Sequence, residues 1–344
     1  MRYKRDKLEN IVLINILGIF VQTLIKELTD KIIERCRMIH LTKTDNGIDK
    51  NNLNFVIRVC LVAALGGLLF GYDTAVISGA IGFLRTKFEL DATQMGWAAS
   101  SALVGCIIGC VFAGVLSDWM GRKKTLILAA ILFTISAIGS AVPENFTEFI
   151  VFRMIGGIGV GTASMLSPLY IAEISPAAIR GKMVSYNQFA IVSGMLVVYF
   201  VNYFIAAQGN EVWNIQSGWR WMFGSETLPA IMFLVFLFFV PESPRWLIKQ
   251  KRTDEALFVL NRVSGEKHAK SELREIEDTI AHEKTSIKQL LHPGMQIVLA
   301  IGIVLAVLQQ VTGITFSFIM PRRYSKNLAQ VLTQRFYKQL LLEL

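Results

Sequence analysis

Residues 68–83 read LLFGYDTAVISGAIGF, an apolar stretch with one aspartate, Asp73, near its middle. A carboxylate there is costly, about 2.5–3.5 kcal/mol at the centre of a membrane helix on insertion scales. Either the segment stays out of a membrane or the charge has a partner and a task within it. The flanks decide. Extended both ways, the stretch becomes an apolar segment over about 55–84. Roughly 20 such residues suffice to cross a bilayer core as helix.

The rest of the chain repeats the pattern. Of 344 residues, 53% are hydrophobic and 18% charged, with a mean hydropathy of +0.47. A soluble chain carries about 25% charged residues, and here the charges cluster between long apolar tracts. The expectation is an all-α polytopic membrane protein. Its seven spans lie near 55–84, 94–116, 125–142, 148–170, 183–206, 219–240 and 295–318.

The net charge of +9 and isoelectric point near 9.4 do not point to nucleic acid. The basic residues sit in loops and in the N-terminal stretch, as the positive-inside rule demands. Basic Ser117–Lys124 therefore belongs in the cytoplasm, as does the long charged segment Pro241–His292; acidic Pro143–Glu148 belongs outside. Cys36, Cys60, Cys106 and Cys110 offer no disulfide framework. Cys106 and Cys110 lie four apart on one helix face and read as small packing residues. His40, His268, His282 and His292 fall outside the spans without ligand spacing, so no metal site is expected. No cofactor and no nucleophile–base constellation appears, so no catalytic residue is assigned and an enzyme is not expected. Asn145 opens an N-x-S/T triplet, to which no glycan is assigned.

The domain reading is an N-terminal extension over 1–53, six spans over 54–240, a helical linker over 241–293, a seventh span over 294–318 and a tail over 319–344. Residues 11–25, IVLINILGIFVQTLI, are short for a span. Crossing would place the basic MRYKRDK outside, so an interfacial helix or a start codon set too far upstream is expected.

Four motifs then occur in order. GVLSDWMGRKKTL carries Gly114, Asp118, Gly121, Arg122, Lys123 and Lys124; RMIGGIGVGTASMLSPLYIAEISPAAIRG covers Arg153–Gly181; PESPRWL covers Pro241–Leu247; QQVTGI covers Gln309–Ile314. Glycines 156, 157, 159 and 161 follow no strand and lie inside a span, so helix packing explains them better than a dinucleotide loop. Together the motifs resemble the sugar porter branch of the major facilitator superfamily, with bacterial proton-coupled xylose symporters the nearest pattern, over Asn54–Ile314.

That resemblance gives Asp73 a partner. The one other charge clearly inside a neighbouring apolar span is Arg153, near the start of the fourth. An Asp–Arg pair offsets part of both burial penalties, and the ionisation of the carboxyl then depends on whether the arginine is beside it. In proton symporters of the family an aspartate at the place of Asp73 pairs with the arginine matching Arg153, whereas facilitative relatives usually carry a neutral residue there. The alternative is a static pair that only fixes packing.

A neutral polyol calls for amides, hydroxyls and an apolar wall. Gln188 on the fifth span and Gln309 and Gln310 on the seventh match sugar-contacting glutamines of the family, and Phe70 is a candidate for the wall. Met195 stands where xylose symporters have a second glutamine, which weakens a pentose preference. Asp118, Gly121 and Arg122, with Glu173, Arg180, Glu242 and Arg245 at span ends, match residues whose ion pairs close the inner gate; solvated loop charges are the alternative.

The resemblance implies proton-coupled symport of a pentose or hexose by alternating access, in a monomer spanning a bacterial inner membrane. A facilitative carrier and an inactive remnant are the rivals. Past Ile314 the chain departs from the family pattern: Ile319-Met320-Pro321 is what Tyr-Tyr-Ala-Pro codons give when read one base late. Residues 319–344 are therefore expected to be out of frame, and the chain as written is expected to insert without transporting.

Overall fold

The computed structural model describes residues 50–282 and 293–311. The expectations for 1–49 and 312–344 lie outside the described residues, as does the end of the seventh span. Every described element is helical. Five long helices come first: α1 (Lys50–Lys87), α2 (Ala92–Met120), α3 (Arg122–Ala141), α4 (Phe146–Ile174) and α5 (Arg180–Ala207). The sixth crossing, Glu211–Leu237, is built in pieces. They are α6 (Glu211–Trp213), a π-helical turn (Asn214–Gly218), α7 (Trp219–Gly224) and α8 (Thr227–Leu237). Then follow α9 (Pro244–Lys249), α10 (Thr253–Ser264), α11 (Glu266–His282) and the apolar α12 (Pro293–Val311). Among the described residues, six helical segments are long and apolar enough to cross a membrane.

Local sequence sets the helix ends. Asp91 caps α2: its Oδ1 accepts the Gln94 amide at 2.7 Å while Gln94 Oε1 accepts the Asp91 amide at 3.0 Å. This reciprocal box satisfies two of the orphan donors of a helix start. Asn145 caps α4 by accepting the Glu148 amide at 3.0 Å, which is how the side chain of the N-x-S/T triplet is used. Ile107, Val111, Phe112 and Val115 on α2, and Phe200 and Phe204 on α5, stand exposed, as lipid-facing side chains do.

Backbone proximity holds the bundle together, with α2 and α3 packed along α4 and α1 along α5. Between α2 and α4, a Cβ on Gly105 would strike the Met154 carbonyl, and one on Gly109 that of Ile158. From the other side, Gly157 faces the Ala102 carbonyl and Gly161 that of Cys106. Within lipid, where apolar side chains gain nothing by leaving their surroundings, such close contact is what brings helices together. Cys110 joins this seam, its thiol 3.3 Å from the Gly161 carbonyl.

Two expectations are corrected. The basic stretch Ser117–Lys124 is not a loop: α2 runs to Met120, α3 starts at Arg122, and Gly121 alone turns the chain. Gly121 has φ +97°, which only glycine adopts without strain, and a Cβ there would meet the Glu242 carboxylate. The sixth crossing is not a continuous helix over 219–240; it begins at Glu211 and breaks at Ser225–Glu226. Pro229 accounts for the break, because it lacks the N–H that would bond the Ser225 carbonyl and its ring crowds that oxygen.

Pro241–His282 is helix-patterned as expected, yet it is no loose tether. Trp246, Leu247 and Ile248 of α9 and Val259 and Val263 of α10 share one core with Val56, Cys60, Tyr170 and Ile174 of the bundle. Glu242 secures the junction. Its carboxylate accepts the amides of Arg122 at 2.9 Å, Lys123 at 3.1 Å and Ser243 at 2.9 Å, and so caps α3 from another element. Burial pushes the Glu242 carboxyl up from its ordinary value, while those amides and Arg122 pull against it.

Gly157→Val should overpack the α2–α4 seam and cost about 1–3 kcal/mol. Gly82→Ala, whose Cβ meets open space, should melt with or above the parent; thermal unfolding in detergent reads both. Glu242→Ala strips the α3 start of its acceptor and should cost about 1–2 kcal/mol in the same assay, as lost caps do. Glu242→Gln, which keeps one carbonyl oxygen, should lose less.

Candidate functional site

Two apolar cores divide the bundle along its length. One holds Leu69, Val160, Ala163, Ala230 and Phe233; the other holds Tyr72, Val76, Ile150, Phe149 and Phe223. Three charged residues lie at the seam between them, each where one core gives way to the other. Asp73 on α1, Arg153 on α4 and Glu226 on the sixth crossing are each 2% exposed.

The expected pair is present. Arg153 Nη1 donates to Asp73 Oδ1, and Nη2 reaches the Asp73 carbonyl at 3.4 Å. The guanidinium also lies 5.4 Å from the centre of the Phe223 ring, against its electron-rich face. Gly156, one turn beyond Arg153, lets Ser136 of α3 pack against α4, since a Cβ there would strike the Ser136 side chain. A cavity of about 10 Å³ adjoins the pair, lined by Asp73, Thr74, Ala102, Cys106 and Arg153 among others. That is about the room one water needs.

Glu226 is the residue that sequence reasoning missed, and it corrects the reading of Arg153 as the one other charge in a span. It follows the break at Ser225 and lies within electrostatic reach of both Asp73 and Arg153. Among the described residues, its Oε1 and Arg153 Nε have no hydrogen-bond partner. The signal was an acidic residue well inside the predicted span 219–240.

The expected sugar-contacting residues are only partly placed. The Gly71 backbone packs on the Ile191 carbonyl and Gly194 on that of Leu68, which holds α1 and α5 side by side. Phe70 precedes Gly71 and Gln188 lies one turn before Ile191, so the two stand at one level of adjacent helices. Phe70 is half-buried and Gln188 exposed. Gln309 and Gln310 belong to α12, and their side chains lie outside the described residues. Met195 is buried in the α1–α5 core with Tyr72 and Val76, a packing position rather than a cavity wall.

The residues expected at an inner gate fall into two groups. Arg122 is the hub of the first: it grips Glu173 through Nε at 2.9 Å and Nη2 at 3.0 Å, and reaches Asp118 at 3.0 Å. Ser243 donates to Glu173 at 2.6 Å, and the Trp246 indole to the Asp118 carbonyl at 3.0 Å. Asp118, Gly121, Arg122, Glu173 and Glu242 thus form one assembly. Arg180 and Arg245 lie beside it on the wall of a 210 Å³ pocket, with Glu173, Glu272 and Glu275.

Comparison with known proteins shows the family. The profile of the family described as Sugar (and other) transporter matches residues 59–335. The chain is 46% identical over 289 residues to the D-xylose-proton symporter of Escherichia coli K12, covering 76% of this chain and 59% of that one. It is 45% identical over 264 residues to the arabinose-proton symporter of Bacillus subtilis 168, covering 76% and 57%. Among solved structures it resembles the major facilitator superfamily proton:xylose symporter XylE bound to 6-bromo-6-deoxy-D-glucose. There the TM-score is 0.73 and the identity 45%, over 77% of this chain and 61% of the other. The inward-open form of XylE from E. coli aligns with a TM-score of 0.67 at 44% identity, over 77% and 63%. The chain spans about 59% of the length of the first of these relatives. With its six apolar spans, buried Asp73–Arg153 pair and docked linker helices, the chain belongs to the sugar transporter family of the major facilitator superfamily, a family of carriers rather than enzymes.

Proposed function

We propose that this chain carries the proton-coupling centre and part of the sugar site of a symporter that moves a pentose or hexose with a proton across a bacterial inner membrane. The observation that supports it most is the buried cluster of one guanidinium and two carboxyls, with Glu226 Oε1 unpartnered among the described residues. One cation cannot neutralise two anions. A net charge buried between two apolar cores is expensive, so the cluster is best balanced when one of its carboxyls holds a proton.

A change of partner then does the coupling. With Asp73 ionised, Arg153 stays on it and ties α1 to α4. With Asp73 protonated, the Coulombic hold weakens and the guanidinium can turn to Glu226, which loosens α1 from α4. A neutral sugar gains nothing from the membrane potential, so concentrating it requires that this switch and sugar occupancy depend on each other. Phe70 and Gln188 stand on α1 and α5, beside the helix that carries Asp73, where contact with sugar biases the same movement. At the linker end, the Arg122–Glu173–Glu242 assembly holds α2, α3, α4 and α9 together as one body that can rock as a unit.

In the complete gene product, Asp73→Asn should abolish sugar accumulation against a gradient while sugar exchange across the membrane persists. Labelled-sugar uptake and counterflow in vesicles measure the two; continued accumulation by the variant removes the coupling reading. Gln188→Ala should weaken sugar binding by about 1–3 kcal/mol, the usual cost of an unsatisfied polar partner. Unchanged affinity by titration returns Gln188 to the role of a lipid- or helix-facing amide.

A further inference from the structure

We infer that Tyr72 is a positioning residue for Glu226, acting through Ser225; the inference rests on the proton-coupled reading above. Tyr72 immediately precedes Asp73 and is 3% exposed. Its phenol oxygen lies 2.7 Å from Ser225 Oγ, and Ser225 immediately precedes Glu226. The two acidic residues are thus joined through their chain neighbours, by one hydrogen bond between α1 and the break in the sixth crossing.

The direction of that bond follows from counting protons. Ser225 Oγ also lies 2.6 Å from the Met222 carbonyl, which can only accept. The single hydroxyl proton of Ser225 is therefore committed to Met222, and Tyr72 must be the donor to Ser225. The break explains why Met222 is available. At an unbroken helix its carbonyl would take the Glu226 amide, but that amide bonds the Phe223 carbonyl instead, at 3.2 Å. The Ser225 hydroxyl fills the vacated acceptor, and Tyr72 completes the chain from α1.

The consequence concerns where Glu226 can be. A helix break is where a crossing swivels, and Glu226 sits on it with a carboxylate oxygen that has no partner among the described residues. The Tyr72–Ser225 bond pins the swivel to α1, one residue from Asp73. It holds the two carboxyls at a fixed separation around Arg153, and so sets the pH at which the cluster takes up its proton.

The test uses the complete gene product in vesicles, with the pH profile of gradient-driven uptake beside the sugar dependence of counterflow. Tyr72→Phe should move the pH midpoint of uptake by about 0.5–1 unit, the shift expected of one hydrogen bond. The counterflow KM should stay within about twofold, as expected when a change leaves sugar binding untouched. Ser225→Ala breaks the same link from the other side without altering α1, and should move the midpoint likewise; it alone decides the matter if Tyr72→Phe fails to insert. Added to Glu226→Gln, neither change should move the midpoint further. An unmoved midpoint, or an equal shift in the Glu226→Gln background, reduces Tyr72 to a packing residue and overturns the inference. Asp73→Asn separates the two ideas: if it still accumulates sugar, the coupling reading has failed, whereas if it does not and Tyr72→Phe keeps the parental profile, only the Tyr72 link has failed.

Discussion

The buried guanidinium of Arg153 is the constraint around which this bundle is arranged. It cannot leave the apolar interior, since α4 carries it well inside the span, and it cannot lack a counter-charge there. α1 must therefore approach closely enough for Asp73 to meet it, and the sixth crossing brings Glu226 to the same level. The two hydrophobic cores then pack above and below this layer, Leu69 and Phe233 on one side, Tyr72 and Phe223 on the other. A packed apolar interior alone would tolerate sliding of helix against helix. A charged layer does not, because any slip strands a carboxylate or the arginine in hydrocarbon.

The close approach this requires comes from residues that take up almost no space. Gly105, Gly109, Gly157 and Gly161 bring the α2 and α4 backbones together, and Gly71 and Gly194 do the same for α1 and α5. Gly156 makes the same allowance for Ser136 of α3 against α4. Rigid pairs of helices thereby surround a centre that is under-satisfied: the Oε1 of Glu226 and the Nε of Arg153 have no partner among the described residues. In the switch proposed above, such surroundings let the alternatives differ in partner rather than in packing.

The linker end follows a different logic. There the helix start of α3 needs an acceptor for its first amides, and Glu242 supplies it from beyond the sixth crossing. Glu173 of α4 meets Arg122 of α3 in a two-pronged grip, and Ser243 ties Glu173 to the start of α9. These bonds are concentrated on a one-residue turn, so α2, α3, α4 and the linker are held as one body. Arg180 and Arg245 line the adjoining pocket together with Glu173, Glu272 and Glu275.

The sequence by itself determined the helical membrane class, the approximate spans and the Asp73–Arg153 pairing. Hydropathy over some twenty residues is a local property, and opposite charges well inside two apolar spans offset one another's burial, so Asp73 and Arg153 could be paired even though Glu226 was passed over. The small-residue faces were equally legible, because glycines four apart must share a helix face. Tertiary structure alone decided the rest. Whether Glu226 lies in a loop or in the core depends on the helix break before Pro229 and on where the sixth crossing begins, which no window average resolves. Gly121 became a one-residue turn because Glu242, far along the chain, caps the helix that follows. Met195 became core and Gln188 exposed through the rotation of α5 against α1, set by backbone contacts at Gly71 and Gly194. Composition fixes what a segment can be; which groups meet is fixed by the tilt, rotation and breakage of helices against one another.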